Sequence, residues 1–179
     1  MDDLPAAPKR GHSGRPSERR DVRRAIEHWH RNTWGNDCVP FVDTFDFSPM
    51  RGDWGYRFLL CGSHAVENTV FVKYGSKLAR LLRLPDMART NIPFIQQIPV
   101  PFRDVFVEGY DKAYSASSPI ALKGTFGFEA KFLLYRAVFM PIMLQPNWSK
   151  QLILGSFNCR VADAAKAPKG SPGEQQLDG

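Results

Sequence analysis

The chain has 179 residues, 43% apolar and 12% aromatic, which fits one domain with tails and excludes wholesale disorder. No run approaches the roughly 18 apolar residues that cross a bilayer, and the first thirty residues are too charged for a signal-peptide core. A cytoplasmic protein without a membrane span is therefore expected.

The net charge of +6 allows a nucleic-acid or anionic-surface partner. Eight basic against five acidic side chains in the first 31 residues also fit a solvated helix face, the reading that charge runs usually carry. Cys38, Cys61 and Cys159 are an odd count without C-x-x-C spacing, so they suggest neither a disulfide framework nor a zinc site.

Residues 1–16 hold Pro5, Pro8 and Pro16 with little hydrophobic pattern and are expected to be a disordered basic tail; residues 163–179 repeat that composition and are expected to be a second tail. Residues 17–40 predict an N-terminal amphipathic helix and a linker. Ser17 can cap a helix running through "ERRDVRRAIEHWHR", where Val22, Ala25, Ile26 and Trp29 recur at steps of three and four and define one narrow apolar stripe. Such a helix docks by one side, on its own domain or on a second copy.

Residues 41–162 predict the folded domain. "FVDTFDF" alternates apolar and polar residues and predicts a strand ending at Ser48-Pro49; "RGD" then turns into "WGYRFLLCG", giving an antiparallel hairpin. "SHAVENTVFVKYGSKLARLLRLP" predicts short helical pieces, capped at Ser63, broken near Gly75 and stopped by Pro85. "VPFRDVFVEGYDKAYSAS" predicts a helix with Pro101 in its first turn and Phe102, Val105, Phe106 and Tyr110 in helical rhythm, with Gly109 admitting a close neighbour. Three strands finish the domain: "SPIALKGTFGF", "AKFLLYRAVFMPIML" and, after a "QPNWSK" turn, "QLILGSFNCRV". Gly124 and Gly127 are expected to mark a bend.

The fold class is thus α+β: a helix, two strands, a helical insert and three strands. Several stretches in this order, "FDF" with "WGYRFLLCGS", "VFVKYG" with "LARLLRLP", "VFVEGYDKAYSASSPI" with "KGTF", "LLYRAVFMPI" and "LILGSFN", are similar to a bacterial, alphaproteobacterial family of small PAS-like domain proteins, over roughly residues 41–160. The resemblance implies a PAS-like five-stranded antiparallel sheet with helices on one face, a flanking N-terminal helix, and a sensory or signalling role.

On a strand, Phe132, Leu134, Arg136, Val138, Met140 and Ile142 share one face, and Leu133, Tyr135, Ala137, Phe139 and Met143 the other, so both faces are apolar and both need covering. We expect the first set to meet the helical insert. The expected ligand cavity is then formed by Phe58, Leu60, Phe102, Phe106, Phe126, Leu134, Arg136 and Met140. Arg136 has two readings there: a donor fork for a carboxylate or phosphate, or a guanidinium paired with Glu108 or Asp104 or reaching water along its stem. Tyr135 is expected on the other face, under the docking stripe of Val22, Ile26 and Trp29, with its hydroxyl on a backbone partner.

No chemistry-bearing constellation stands beside this. Gly62-Ser63-His64 is not a G-x-S-x-G elbow, and no phosphate-cradling glycine motif occurs. His28 and His30 point to different sides of a helix, and Asp104, Glu108 and Asp111 lack a histidine partner, so neither set is a metal site. His64 is the one histidine inside the domain as a candidate haem ligand, and the long helix carries none. "NCR" at Asn158–Arg160 resembles the photoactive-cysteine motif of flavin-binding PAS domains, but that motif lies on a helix and Cys159 ends a strand. The cofactor therefore stays unknown. We expect a stand-alone module without catalytic activity, which binds a small molecule or a signalling protein and acts as a homodimer. The alternative is a nucleic-acid or anionic-surface binder that uses the arginine-rich helix.

Overall fold

In a computed structural model, which describes residues 17–33, 39–50, 54–128, 131–145 and 150–162, an antiparallel sheet of five strands carries helices on both faces. Both tails, Cys38, the "RGD" turn and the body of the "QPNWSK" turn lie outside the described residues. In chain order the elements are α1 (Ser17–Arg31), β1 (Arg57–Gly62), β2 (Val70–Tyr74), α2 (Ser76–Leu82), α3 (Phe94–Gln97), α4 (Val100–Tyr114), β3 (Ile120–Phe128), β4 (Lys131–Met143) and β5 (Gln151–Val161). Their order across the sheet is β2-β1-β5-β4-β3, so the last strand joins the β1-β2 hairpin to the β3-β4 pair.

Side chains of β4 and β5 are buried on both faces where α1 and α4 overlie the sheet. Edge strand β3 instead alternates residue by residue: Ile120, Leu122, Phe126 and Phe128 are half-buried, while Ala121, Lys123, Thr125 and Gly127 are exposed. The inner face, toward α2, α3 and α4, holds Phe58, Leu60, Phe71, Ala137, Phe139, Ile153 and Phe157. From α4, Phe102, Phe106 and Tyr110 enter it at spacings of four, one above the other on a single helical face. The outer face, toward α1, holds Leu59, Val138, Met140, Ile142, Leu152 and Leu154.

One inner rung sets these distances. Gly155 is the cross-strand partner of both Phe58 and Phe139, whose ring centroids lie 5.4 Å apart. A Cβ on Gly155 would run into the Phe58 ring, and a Cβ on Gly109 of α4 would run into the Phe139 ring. Both glycines thus leave room for aromatic side chains, and α4 approaches the sheet as closely as its Gly109 backbone allows.

Two expected elements change place. Residues 41–47 form no strand: Phe41 makes a single bridge to Met143, after which Thr44 and Phe45 N–H groups donate back to the Phe41 carbonyl in a tight turn. The partner of β1 is "VFVKY", expected to be helical, which pairs antiparallel with a bulge at Leu59/Leu60. Its β-branched and aromatic residues outweigh the helix formers that follow Gly75. The short turn Val66–Asn68 has Ala65 rather than Ser63 at its cap, and α2 ends on Arg83 in the left-handed region (φ 54°), before Pro85 is reached. Gly124 marks no bend either, since β3 is continuous and the Gly124 gap is filled by the Tyr135 ring.

Tyr110 ties α4 to the loop after β1 by donating its hydroxyl to the Ser63 carbonyl at 2.7 Å. Burial pushes this hydroxyl up to about 12, partly offset by a hydrogen bond with the Thr69 side chain. An unfolded chain would lose the same proton near 10, so the stability due to the neutral phenol is present below 10 and is lost as pH rises toward about 12. The melting temperature should fall across this window, and less steeply in Tyr110→Phe; equal slopes would contradict the assignment. In urea unfolding, Gly155→Ala and Gly109→Ala should each cost about 1–3 kcal/mol by overpacking, although alanine normally stabilises a helix over glycine. Gly127→Ala, where a Cβ meets open space, should be near neutral.

Candidate functional site

Arg136 answers to the register of β4. Because Phe139 faces α4, so do Ala137 and Tyr135, while Arg136, Val138 and Met140 face the other side. The expected cavity is therefore divided by the sheet. Phe58, Leu60, Phe102, Phe106 and Phe126 are together on the inner face, where rings meet at centroid distances of 5.0 Å for Phe102 and Phe126 and 5.2 Å for Phe58 and Phe106. Leu134 and Arg136 lie on the outer face, and Met140 belongs to the outer cluster with Ala25 and Trp29.

Tyr135 moves the opposite way. Its ring stacks on Phe157 on the inner face (6.0 Å, 23°) rather than under α1, and burial, then the Glu108 carboxylate, push its hydroxyl up. Glu108 pairs with Lys112 on α4, and Arg136 has no ion pair with either expected acid among the described residues.

Of the docking stripe, Trp29 is 2% exposed and donates its indole N–H to the Pro141 carbonyl at 2.7 Å; Ala25 is buried beside it, with Val22 and Ile26 packed at the margin. Burying a large apolar side chain is worth roughly 1.5–3 kcal/mol, so Trp29 is the anchor of α1. The C-terminal end of the helix is tied by His28 Nε2, which donates to the Asp46 carbonyl (2.7 Å), and by Asn32, whose Oδ1 accepts from the Asp46 N–H (2.7 Å). Phe45 packs edge-on against the His28 ring.

One narrow helix does not cover the whole outer face. Along its flank runs a groove of about 290 Å³ lined by Arg24, Ala25, His28, Arg31, Pro49, Arg57, Met140 and Leu154. Beyond the Val138 rung, a polar strip continues: Lys123, Arg136 and Asn158 are successive cross-strand partners, and Lys123, Thr125, Leu134, Arg136 and Arg160 border a shallow depression of about 320 Å³. Asn158 is 2% exposed, yet neither its carbonyl oxygen nor its amide nitrogen has a hydrogen-bond partner among the described residues. Sequence reasoning missed both Asn158 and Arg57. Asn158 follows Ser156 in the polar half of the outward β5 parity, a signal present in the sequence; Arg57 follows an aromatic turn and carries no signal by itself.

His64 is exposed near Tyr114, with ring centroids 5.5 Å apart. Among the described residues there is no group of three or more His, Cys, Asp or Glu side chains placed to hold a metal ion, and no helix is long and apolar enough to cross a membrane. No protein-family model matches this chain, and no curated protein matches it.

A buried carboxamide without partners costs stability that an apolar isostere recovers. Asn158→Leu should therefore raise the unfolding free energy by about 1 kcal/mol or more. A clear loss in denaturant titration would mean that water or another polar group satisfies Asn158.

Proposed function

We propose that the chain is a PAS-like sensory or regulatory module without catalytic activity, which binds a small molecule or a signalling protein and acts as a homodimer. The observation that carries this reading is the double burial of β4 and β5: the helical insert closes one face through an aromatic core, and α1 closes the other through Ala25 and Trp29. A two-strand hairpin, a helical insert and a three-strand meander are the order that a PAS-like reading requires. The helix α1 is the natural output element, since it meets the sheet through few side chains and bears the exposed arginines Arg23, Arg24 and Arg31.

Exposed Arg23, Arg24 and Arg31 also support a second reading, in which α1 meets nucleic acid or an anionic surface. Binding of that kind would weaken steeply between low and physiological salt.

Native mass spectrometry beside a denatured sample, with an absorbance spectrum of the same solution, tests the first reading. A dimer, or mass released on denaturation, is the expected outcome. A bare monomer at every concentration would contradict it.

A further inference from the structure

Arg24, His28 and Arg31 are spaced i, i+4 and i+7 on α1 and so form one row along the helix, above the groove that Arg57 borders from the sheet. The floor is apolar: Met140 and Leu154 are cross-strand partners, and Arg57 stands one rung further along the same face. No carboxylate lines the groove among the described residues. Among the described residues, Glu27 pairs with Arg23 and the Asp46 carboxylate accepts from the Ser48 N–H. The Arg31 side chain donates to the Glu27 carbonyl at 3.4 Å, while the guanidinium groups of Arg24 and Arg57 have no hydrogen-bond or ion-pair partner among the described residues. Guanidinium groups over an apolar floor make a donor set for an anionic head on an apolar body, with the fork taking the two carboxylate oxygens and the floor taking the chain.

We propose that this groove binds a free amphipathic carboxylate of medium chain length, its head among Arg24, Arg31 and Arg57 and its chain along Met140 and Leu154. This rests on the reading of the chain as a binding module and names the class of ligand. A volume of about 290 Å³ is at the small end of ligand pockets, so it suits one medium-length acyl chain and not a two-tailed lipid or a protein helix. The groove is open while Trp29 stays docked, so binding needs no displacement of α1.

Titration calorimetry of the full chain at neutral pH and constant ionic strength tests this with hexanoate, octanoate, decanoate and the neutral analogue decanol. The expected result is one decanoate per chain, with affinity rising about threefold to fourfold per added methylene. Decanol should bind at least about tenfold more weakly, a factor that matches one lost charge-assisted hydrogen bond. Arg24→Gln and Arg57→Gln should each lose a similar factor at an unchanged melting temperature, and Lys112→Gln, on the opposite side of the molecule, should bind like the parent protein. Absence of saturable decanoate binding overturns the proposal, as does binding that both arginine substitutions leave unchanged or that decanol reproduces. Retention on phosphatidylglycerol vesicles or an oligonucleotide without binding of free decanoate overturns it in favour of an extended anionic surface. These failures are separable from failure of the module reading, because native mass spectrometry of the same sample would still report a dimer or another bound molecule.

Discussion

The rung Phe58–Gly155–Phe139 is the constraint on which the other positions depend. Two large rings close over one position without a side chain, and the second of them also fills the notch left by Gly109 on α4. This fixes the pairing of three strands and the height of the helix above them. It also fixes the parity of β4, because side chains alternate strictly along a strand: with Phe139 turned inward, Met140, Val138 and Arg136 must turn outward. The same aromatic network occupies the space between α4 and the sheet, with Phe106 in ring contact with Phe58, Phe139 and Phe157.

The outer face follows from that parity. It carries enough apolar surface to require a cover, which the Ala25 and Trp29 stripe of α1 supplies over Val138, Met140, Ile142, Leu152 and Leu154. A stripe that narrow leaves the flank open, and there the sheet presents Arg57 at one border and Arg136, Asn158 and Lys123 beyond it. The inner core is therefore aromatic and closely interlocked, whereas Arg57, Arg136, Asn158 and Lys123 lie on the outer face that α1 only partly covers.

Much of the architecture was legible in the sequence, and the failures have particular causes. The stripe of α1, the rhythm of α4 and the three final strands were read from periodicity, and β5 matches its expected span, Gln151–Val161. The segment 41–47 alternates apolar and polar residues without being a strand: Phe41 is exposed and the chain turns back onto its carbonyl, and Phe45 is buried against His28 with no strand partner. "VFVKY" was absorbed into the helical pattern of its neighbour. For the site, the composition of each β4 face was legible, but which face met which helix was not. Both faces are apolar, and the deciding contacts, Phe139 with Gly109 and with Gly155, join segments far apart in the chain.

The inner cluster contains no residue of α1, so α1 should behave as a separately detachable cover on a core that holds without it. Hydrogen exchange of the parent protein and of Trp29→Ala, followed by mass spectrometry, tests this most directly. The account predicts protected amides over residues 22–31 in the parent, near-complete loss of that protection in the variant, and undiminished protection in α4 and the central strands. Loss of protection in α4 together with α1, or an unprotected α1 in the parent, would contradict it.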